Sequence, residues 1–144
     1  MERSGTLPTG DLVRLCFSGK YSEKEIMEMI TVKGGLHAYL GTTNLNSIEK
    51  RINEGDEKAA FIMYAMAYQL AKEIGGMCTV LDGKPDAIIL SGDLFHQSEF
   101  TSQLIKKVEK ISPIAVMPDE DEIDALAMNA IGVMKGEIEV LEYK

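Results

Sequence analysis

Chemistry in this chain would have to come from a small set of side chains. Two short loops stand out: Ser91 to Gln97, after the apolar run Ala87-Ile88-Ile89-Leu90, and Pro118 to Glu122, after Pro113-Ile114-Ala115-Val116-Met117. Loops that follow the carboxyl ends of parallel strands, with the helix N-termini beside them, form the crevice where open α/β sheets bind ligands. In the first loop Gly92 has no Cβ and lets a ligand come close to the backbone. In the second, Asp119-Glu120-Asp121-Glu122 place successive carboxylates at a helix start. Two readings of that acidic run stay open: it complements the helix macrodipole, or one carboxylate holds Mg²⁺, directly or through water.

Other reactive residue types narrow the chemistry. Arg3 stands alone beside Ser4-Gly5 in a turn-rich start, either a solvated charge or a contact for an anion. His37 and His96 are the only histidines, and neither has a second ligand at metal spacing, which argues against a structural zinc site. Ser91-Gly92 lacks the full nucleophile-elbow pattern, so a Ser-His-Asp hydrolase is unsupported. Cys16 and Cys78 lie far apart in apolar contexts and read as buried reduced thiols rather than a disulfide.

The elements that must position these residues are mostly helical. A loop through Pro8 leads into a short helix ending at Ser18-Gly19, with Thr9 or Asp11 as its cap. Ser22 and Glu25 form a capping box for a second helix whose candidate buried residues are Ile26, Met27, Met29 and Ile30. Turn formers at Gly41-Thr42-Thr43-Asn44 precede a helix near 45–54. Asp56 caps the longest helix, about 57–82, apolar over much of its circumference and therefore expected to be buried on more than one side. Gly75-Gly76 inside it cost about 1 kcal/mol each relative to Ala, which implies a bend or the close packing of another backbone. Strands at about 86–91 and 114–117 alternate with helices near 98–110 and from about 118 through Met134. The strands read as parallel, and their continuous apolar runs as buried on both faces.

Composition bounds the function. The 144 residues, 45% hydrophobic and 26% charged, suit one globular domain. With 15 Lys+Arg against 23 Asp+Glu the net charge is −8, a surface that repels phosphate backbones and anionic lipid, so nucleic-acid and membrane partners are not expected. No apolar run reaches the roughly 18–20 residues needed to cross a bilayer, and Met1-Glu2-Arg3-Ser4-Gly5 lacks a secretory pattern, so the expected location is the cytoplasm. Two buried strands are too few for a doubly covered parallel sheet, which normally has about five or six. Either a partner chain supplies strands or the polypeptide is part of a larger domain.

The loops carry a family resemblance over essentially the whole chain. Glu2-Arg3-Ser4-Gly5-Thr6-Leu7-Pro8, Asp11-Leu12-Val13 with Leu15-Cys16-Phe17-Ser18-Gly19, Gly34-Gly35-Leu36 with Ala38-Tyr39-Leu40-Gly41-Thr42, Gly55-Asp56-Glu57, Ala65-Met66-Ala67-Tyr68-Gln69 with Ala71-Lys72, and Asp86-Ala87-Ile88-Ile89-Leu90 with Gly92 closely resemble the butyrate kinases of the acetokinase family. The resemblance implies an α/β, partial ribonuclease-H-like domain of the acetate kinase, sugar kinase and actin superfamily, helix-rich with two short parallel strands. It covers only the carboxyl-terminal part of such an enzyme, which accounts for the strand deficit, and makes residues 1–144 a single incomplete kinase-like domain.

The resemblance also implies residue roles. Arg3 falls on the family's anion-binding arginine, which meets the transferring phosphoryl group. Gly41 to Asn46, with Gly41, Thr42, Asn44 and Asn46 as contacts, match a loop against adenosine. Gly92, Asp93 and Gln97 lie in a second adenosine loop, and Glu122 matches a carboxylate near Mg²⁺. The implied reaction is phosphoryl transfer between ATP and a short-chain carboxylate such as butyrate, giving ADP and an acyl phosphate. The implied partner is an amino-terminal kinase half, or a second copy in a homo-oligomer.

The chain departs from the family where it has Asn44 and Asn46 in place of Asp and Arg, and Asp93 and Asp119 in place of glycines. These changes predict weakened nucleotide affinity. They also support an alternative, a degenerate, non-catalytic module that docks on a partner chain or self-associates.

Overall fold

The computed structural model describes residues 1–118 and 122–140. Its helices are α1 (Thr9–Cys16), α2 (Glu23–Thr31), α3 (Gly35–Leu40), α4 (Leu45–Asn53), α5 (Glu57–Val80), α6 (Ser98–Val108) and α7 (Glu122–Met134). The strands are β1 (Ile88–Ser91) and β2 (Ile114–Met117), and a 3₁₀ turn covers Asp93–His96. The chain divides into two compact units, Met1–Met66 and Ala67–Lys144, with the division inside α5.

In the first unit, local chemistry sets the helix starts. The Ser22 N–H donates to Glu25 Oε2 at 2.7 Å while the Glu25 N–H donates to Ser22 Oγ at 3.3 Å, so the expected capping box forms. The Ala59 N–H donates to Asp56 Oδ1 at 2.9 Å, the expected cap of α5. The core gathers Ile26, Leu36, Leu40, Ile48, Ala59 and Met63, with Ile48 wholly enclosed.

Three expectations fail here. The first turn of α1 hangs on the Pro8 carbonyl, which accepts from the Asp11 and Leu12 N–H groups; neither Thr9 nor Asp11 is the cap. No residue of α1 is buried, so Cys16 is exposed, and Cys78 is only half-buried. Of the second helix's candidates Ile26 alone is buried, Met29 and Ile30 are half-buried and Met27 is exposed. An apolar stripe marks a face suited to burial, but burial needs a surface opposite it.

The same reason corrects the long helix. Ala59, Met63 and Ala67, four residues apart, form one buried stripe on α5, while Phe61, Tyr64, Tyr68, Met77 and Val80 are exposed. A Cβ at Gly75 or Gly76 would meet nothing within 4 Å, so among the described residues no backbone packs there.

In the second unit β1 and β2 pair in parallel, with Ile88 opposite Ile114 and Leu90 opposite Val116. They form a two-stranded sheet among the described residues. Ile88 and Leu90 point into a core with Phe100, Leu104 and Val108 of α6, but Ile89 on the other face is 64% exposed, and Val116 and Met117 are exposed too. The expectation of burial on both faces is therefore wrong for this chain, because α6 covers only one side. Two side-chain bonds tie the connections: the Ser112 hydroxyl donates to the Pro85 carbonyl at 2.8 Å, and the Thr101 hydroxyl to the Phe95 carbonyl at 3.0 Å. No helix among the described residues is long and apolar enough to cross a membrane.

Candidate functional site

The candidate residues fall into three places along the chain. In the first unit, residues 1–4 lie along the turn between α2 and α3. The Ser4 N–H donates to the Ile30 carbonyl (3.0 Å), the Gly34 N–H to the Glu2 carbonyl (2.7 Å) and the Leu36 N–H to the Met1 carbonyl (2.9 Å). These bonds fix the backbone on either side of Arg3, whose own side is exposed to solvent.

The Gly41–Asn46 loop begins at the other end of α3. At 1.5 Å per residue, the helix carries the chain roughly 8 Å along its axis between Leu36 and Gly41. Gly41 closes α3 at φ 74°, with its N–H on the His37 carbonyl, in the left-handed conformation that favours glycine. Thr42 Oγ1 accepts from the Asn44 N–H at 3.1 Å, and Asn44 Oδ1 accepts from the Ser47 N–H at 2.9 Å to cap α4. Neither bond uses the Thr42 O–H or the Asn44 side-chain N–H, so both remain donors for a polar ligand. Asn46 follows, exposed in the first turn of α4.

Arg51, which the sequence reading did not single out, braces this loop. It donates from Nη1 to the Leu40 carbonyl at 2.9 Å, where α3 ends, and from Nε to Asp56 Oδ2 at 2.9 Å, where α5 begins. Its position in the last turn of α4 offered one signal, since a cation there suits the helix dipole, but its eleven-residue reach back to Leu40 left none.

The Ala59 backbone N–H, and then the Arg51 guanidinium, hold the Asp56 carboxyl below the ordinary aspartate range. Backbone and side-chain bonds from Ser22 lower Glu25 in the same way. A carboxyl depressed on folding contributes stability above its unfolded-state value, and that contribution is lost as pH falls through its lower folded value. Acid melts should therefore show stability falling below the ordinary carboxylate range. Asp56→Asn, which keeps a capping oxygen but no charge, should flatten that limb; an unchanged pH profile would remove Asp56 from this account.

In the second unit, Gly92 follows β1 with φ 95°, and its carbonyl accepts from the Phe95 N–H at 3.0 Å. A Cβ there would meet nothing within 4 Å, so the space beside this backbone is open to a ligand. Asp93 is exposed at the start of the 3₁₀ turn, and Gln97 is buried, its carbonyl accepting from the Thr101 N–H at 2.9 Å. Gln97 thus anchors the entry to α6.

The third place is the acidic run. Asp119 lies outside the described residues, as does the side chain of Glu122, whose backbone opens α7. Among the described residues no group of three or more His, Cys, Asp or Glu could hold a metal ion. A Mg²⁺ bound through substrate phosphates needs only one or two protein carboxylates.

Structural comparison defines the class. The chain overlays an acetate kinase of Porphyromonas gingivalis with TM-score 0.81 and 21% identity, covering 92% of this chain and 40% of that one. A propionate kinase of Francisella tularensis matches at TM-score 0.69 and 15% identity, over 83% of this chain and 37% of that one. The fold is a partial acetate and sugar kinase fold, helix-rich with two short parallel strands.

The sequence is more specific. Residues 2–134 match the model of the acetokinase family, and the chain belongs to that family. It is 50% identical over 99% of its length to butyrate kinase 2 of Clostridium acetobutylicum. It is 46% identical over 99% to a probable butyrate kinase of Bacteroides thetaiotaomicron, and 44% identical over its whole length to probable butyrate kinase 1 of Thermotoga maritima. In each case it spans 40% of the relative's length, the carboxyl-terminal portion.

Proposed function

We propose that residues 1–144 form one incomplete carboxyl-terminal domain of a butyrate-kinase-like phosphotransferase of the cytoplasm. The reaction moves a phosphoryl group reversibly between ATP and a short-chain carboxylate: the bond from the γ-phosphorus to the bridging oxygen breaks, one to a carboxylate oxygen forms, and ADP and an acyl phosphate result. Such a transfer needs positioning and charge neutralisation more than covalent chemistry from the protein. Arg3 supplies the cation that meets the transferring group. Gly41, Thr42, Asn44 and Asn46 form one adenosine-contacting loop, and Gly92, Asp93 and Gln97 belong to a second. Glu122 orients Mg²⁺, which when bound neutralises phosphate charge.

The observation that carries this reading is 50% identity to a butyrate kinase across 99% of the chain. The pinned path of the Arg3 segment supports it. The chain spans 40% of those relatives, so it should show no turnover alone. Mixing it with a separately expressed amino-terminal portion should yield acyl phosphate from ATP and butyrate, trapped as the hydroxamate. No turnover in any pairing sinks the reading.

One observation favours the second reading, a non-catalytic module: Asp93 puts a carboxylate beside open space at Gly92. Calorimetry with Mg-ATP separates the two. Micromolar binding argues for a working nucleotide site, and absent binding argues for a module that docks on another chain or on its own copy.

A further inference from the structure

Two adjacent glycines are packed against the segment that carries Arg3. Gly34 is buried with φ −90° and ψ −168°, a backbone that any residue can adopt, so its torsions do not require glycine. Its surroundings do. A Cβ there would lie 2.5 Å from the Ser4 nitrogen, 2.9 Å from the Arg3 carbonyl carbon and 2.9 Å from the Ser4 Cα. At Gly35 a Cβ would overlap the Met1 carbonyl oxygen and lie 2.7 Å from the Arg3 oxygen, and φ is +51°.

All of these are backbone atoms, which cannot swing aside as the end of a flexible side chain can. Other left-handed glycines are different: at Gly19, Gly55 and Gly83 a Cβ would meet nothing within 4 Å. The contact is bracketed by the hydrogen bonds from Ser4, Gly34 and Leu36 that run between the same two stretches.

We propose that Gly34 and Gly35 are positioning residues for Arg3: their bare backbone is the bed on which residues 1–4 lie, and it sets where the Arg3 side chain leaves the chain. The catalytic half of this proposal rests on the phosphotransferase reading above. Any side chain at position 34 must lift the Arg3–Ser4 backbone by about 1 Å, and a misplacement of that size costs on the order of 100-fold in a reaction run by positioning.

The test is Gly34→Ala, read in two ways. In the chain itself, amide hydrogen exchange should accelerate at Ser4, position 34 and Leu36, and stay unchanged at Glu25 and Ala59, whose N–H groups sit in capping bonds. Gly55→Ala, strained but facing open space, should leave the Ser4 and Leu36 amides alone. In the enzyme reconstituted with its amino-terminal portion, Gly34→Ala should lower kcat by about 100-fold with the KM for ATP unchanged.

Unchanged exchange at the three amides overturns the proposal, and so does accelerated exchange with full turnover. Should Gly34→Ala unfold the chain, the same substitution in a chain lacking residues 1–4 decides: folding restored there locates the clash in the Arg3 segment, and continued unfolding refutes it. If the unsubstituted pieces give no turnover, the phosphotransferase reading fails, and exchange still judges the role of Gly34.

Discussion

Arg3→Ala in the reconstituted enzyme should lower kcat by about 10²–10³-fold, the range expected when one preorganised donor to developing charge is removed. The KM for ATP should stay where it was, because the arginine's proposed partner is the transferring phosphoryl group and the proposed adenosine contacts are other residues. Arg3→Lys keeps the positive charge but not the planar fork, so it should recover only part of the loss. The substitution should leave the fold intact, since the segment is held by its backbone bonds at Ser4, Gly34 and Leu36 and the Arg3 residue is exposed. A variant with full turnover would return Arg3 to the other reading open from sequence, a solvated surface charge. A rise in KM alone would make it a binding residue of the ground state and not of the transfer step.

That ambiguity shows what the sequence could and could not say about the site. Nothing in the spacing around Arg3 distinguished a solvated cation from an anion contact. The neighbours that matter, Ile30 and Gly34 to Leu36, lie about thirty residues along the chain, and only the family resemblance pointed to the position. The loop after β1 became a candidate for a physical reason, because ligand crevices form beyond the carboxyl ends of parallel strands, and those strands could be recognised. Arg51 was not legible, since its value comes from holding the end of α3 and the start of α5 at once.

The fold divides along the same line between local and distant causes. The Ser22 capping box and the Asp56 cap were readable because the partners sit three residues apart. The two strands were readable because short apolar runs bounded by turn residues have few other uses. Burial was overestimated in α1, α5 and β1, where apolar residues outnumber the surfaces this chain supplies to cover them. Asn44 combines both kinds of cause: its capping of α4 is local chemistry that Asp would perform equally well, so the cap forms without the charge that the resemblance implies at this position.

A pair of substitutions on one layer of the second unit turns that overestimate into a measurement. Leu104, on the buried side of α6, is wholly enclosed, so Leu104→Ala should cost about 2–5 kcal/mol, the transfer free energy of the lost atoms plus that of the cavity left behind. Ile89→Thr lies on the opposite face of the same sheet, where the side chain is 64% exposed, and keeps the β-branched shape, so it should change stability by less than about 0.5 kcal/mol. Urea titrations followed by circular dichroism read both as shifts in midpoint at constant slope. The two faces of β1 looked alike in sequence, and only the face of Ile88 and Leu90 is buried within this chain. A loss at Ile89 equal to that at Leu104 would mean that the exposed face is covered in solution, and the one-sided core described for this unit would be wrong.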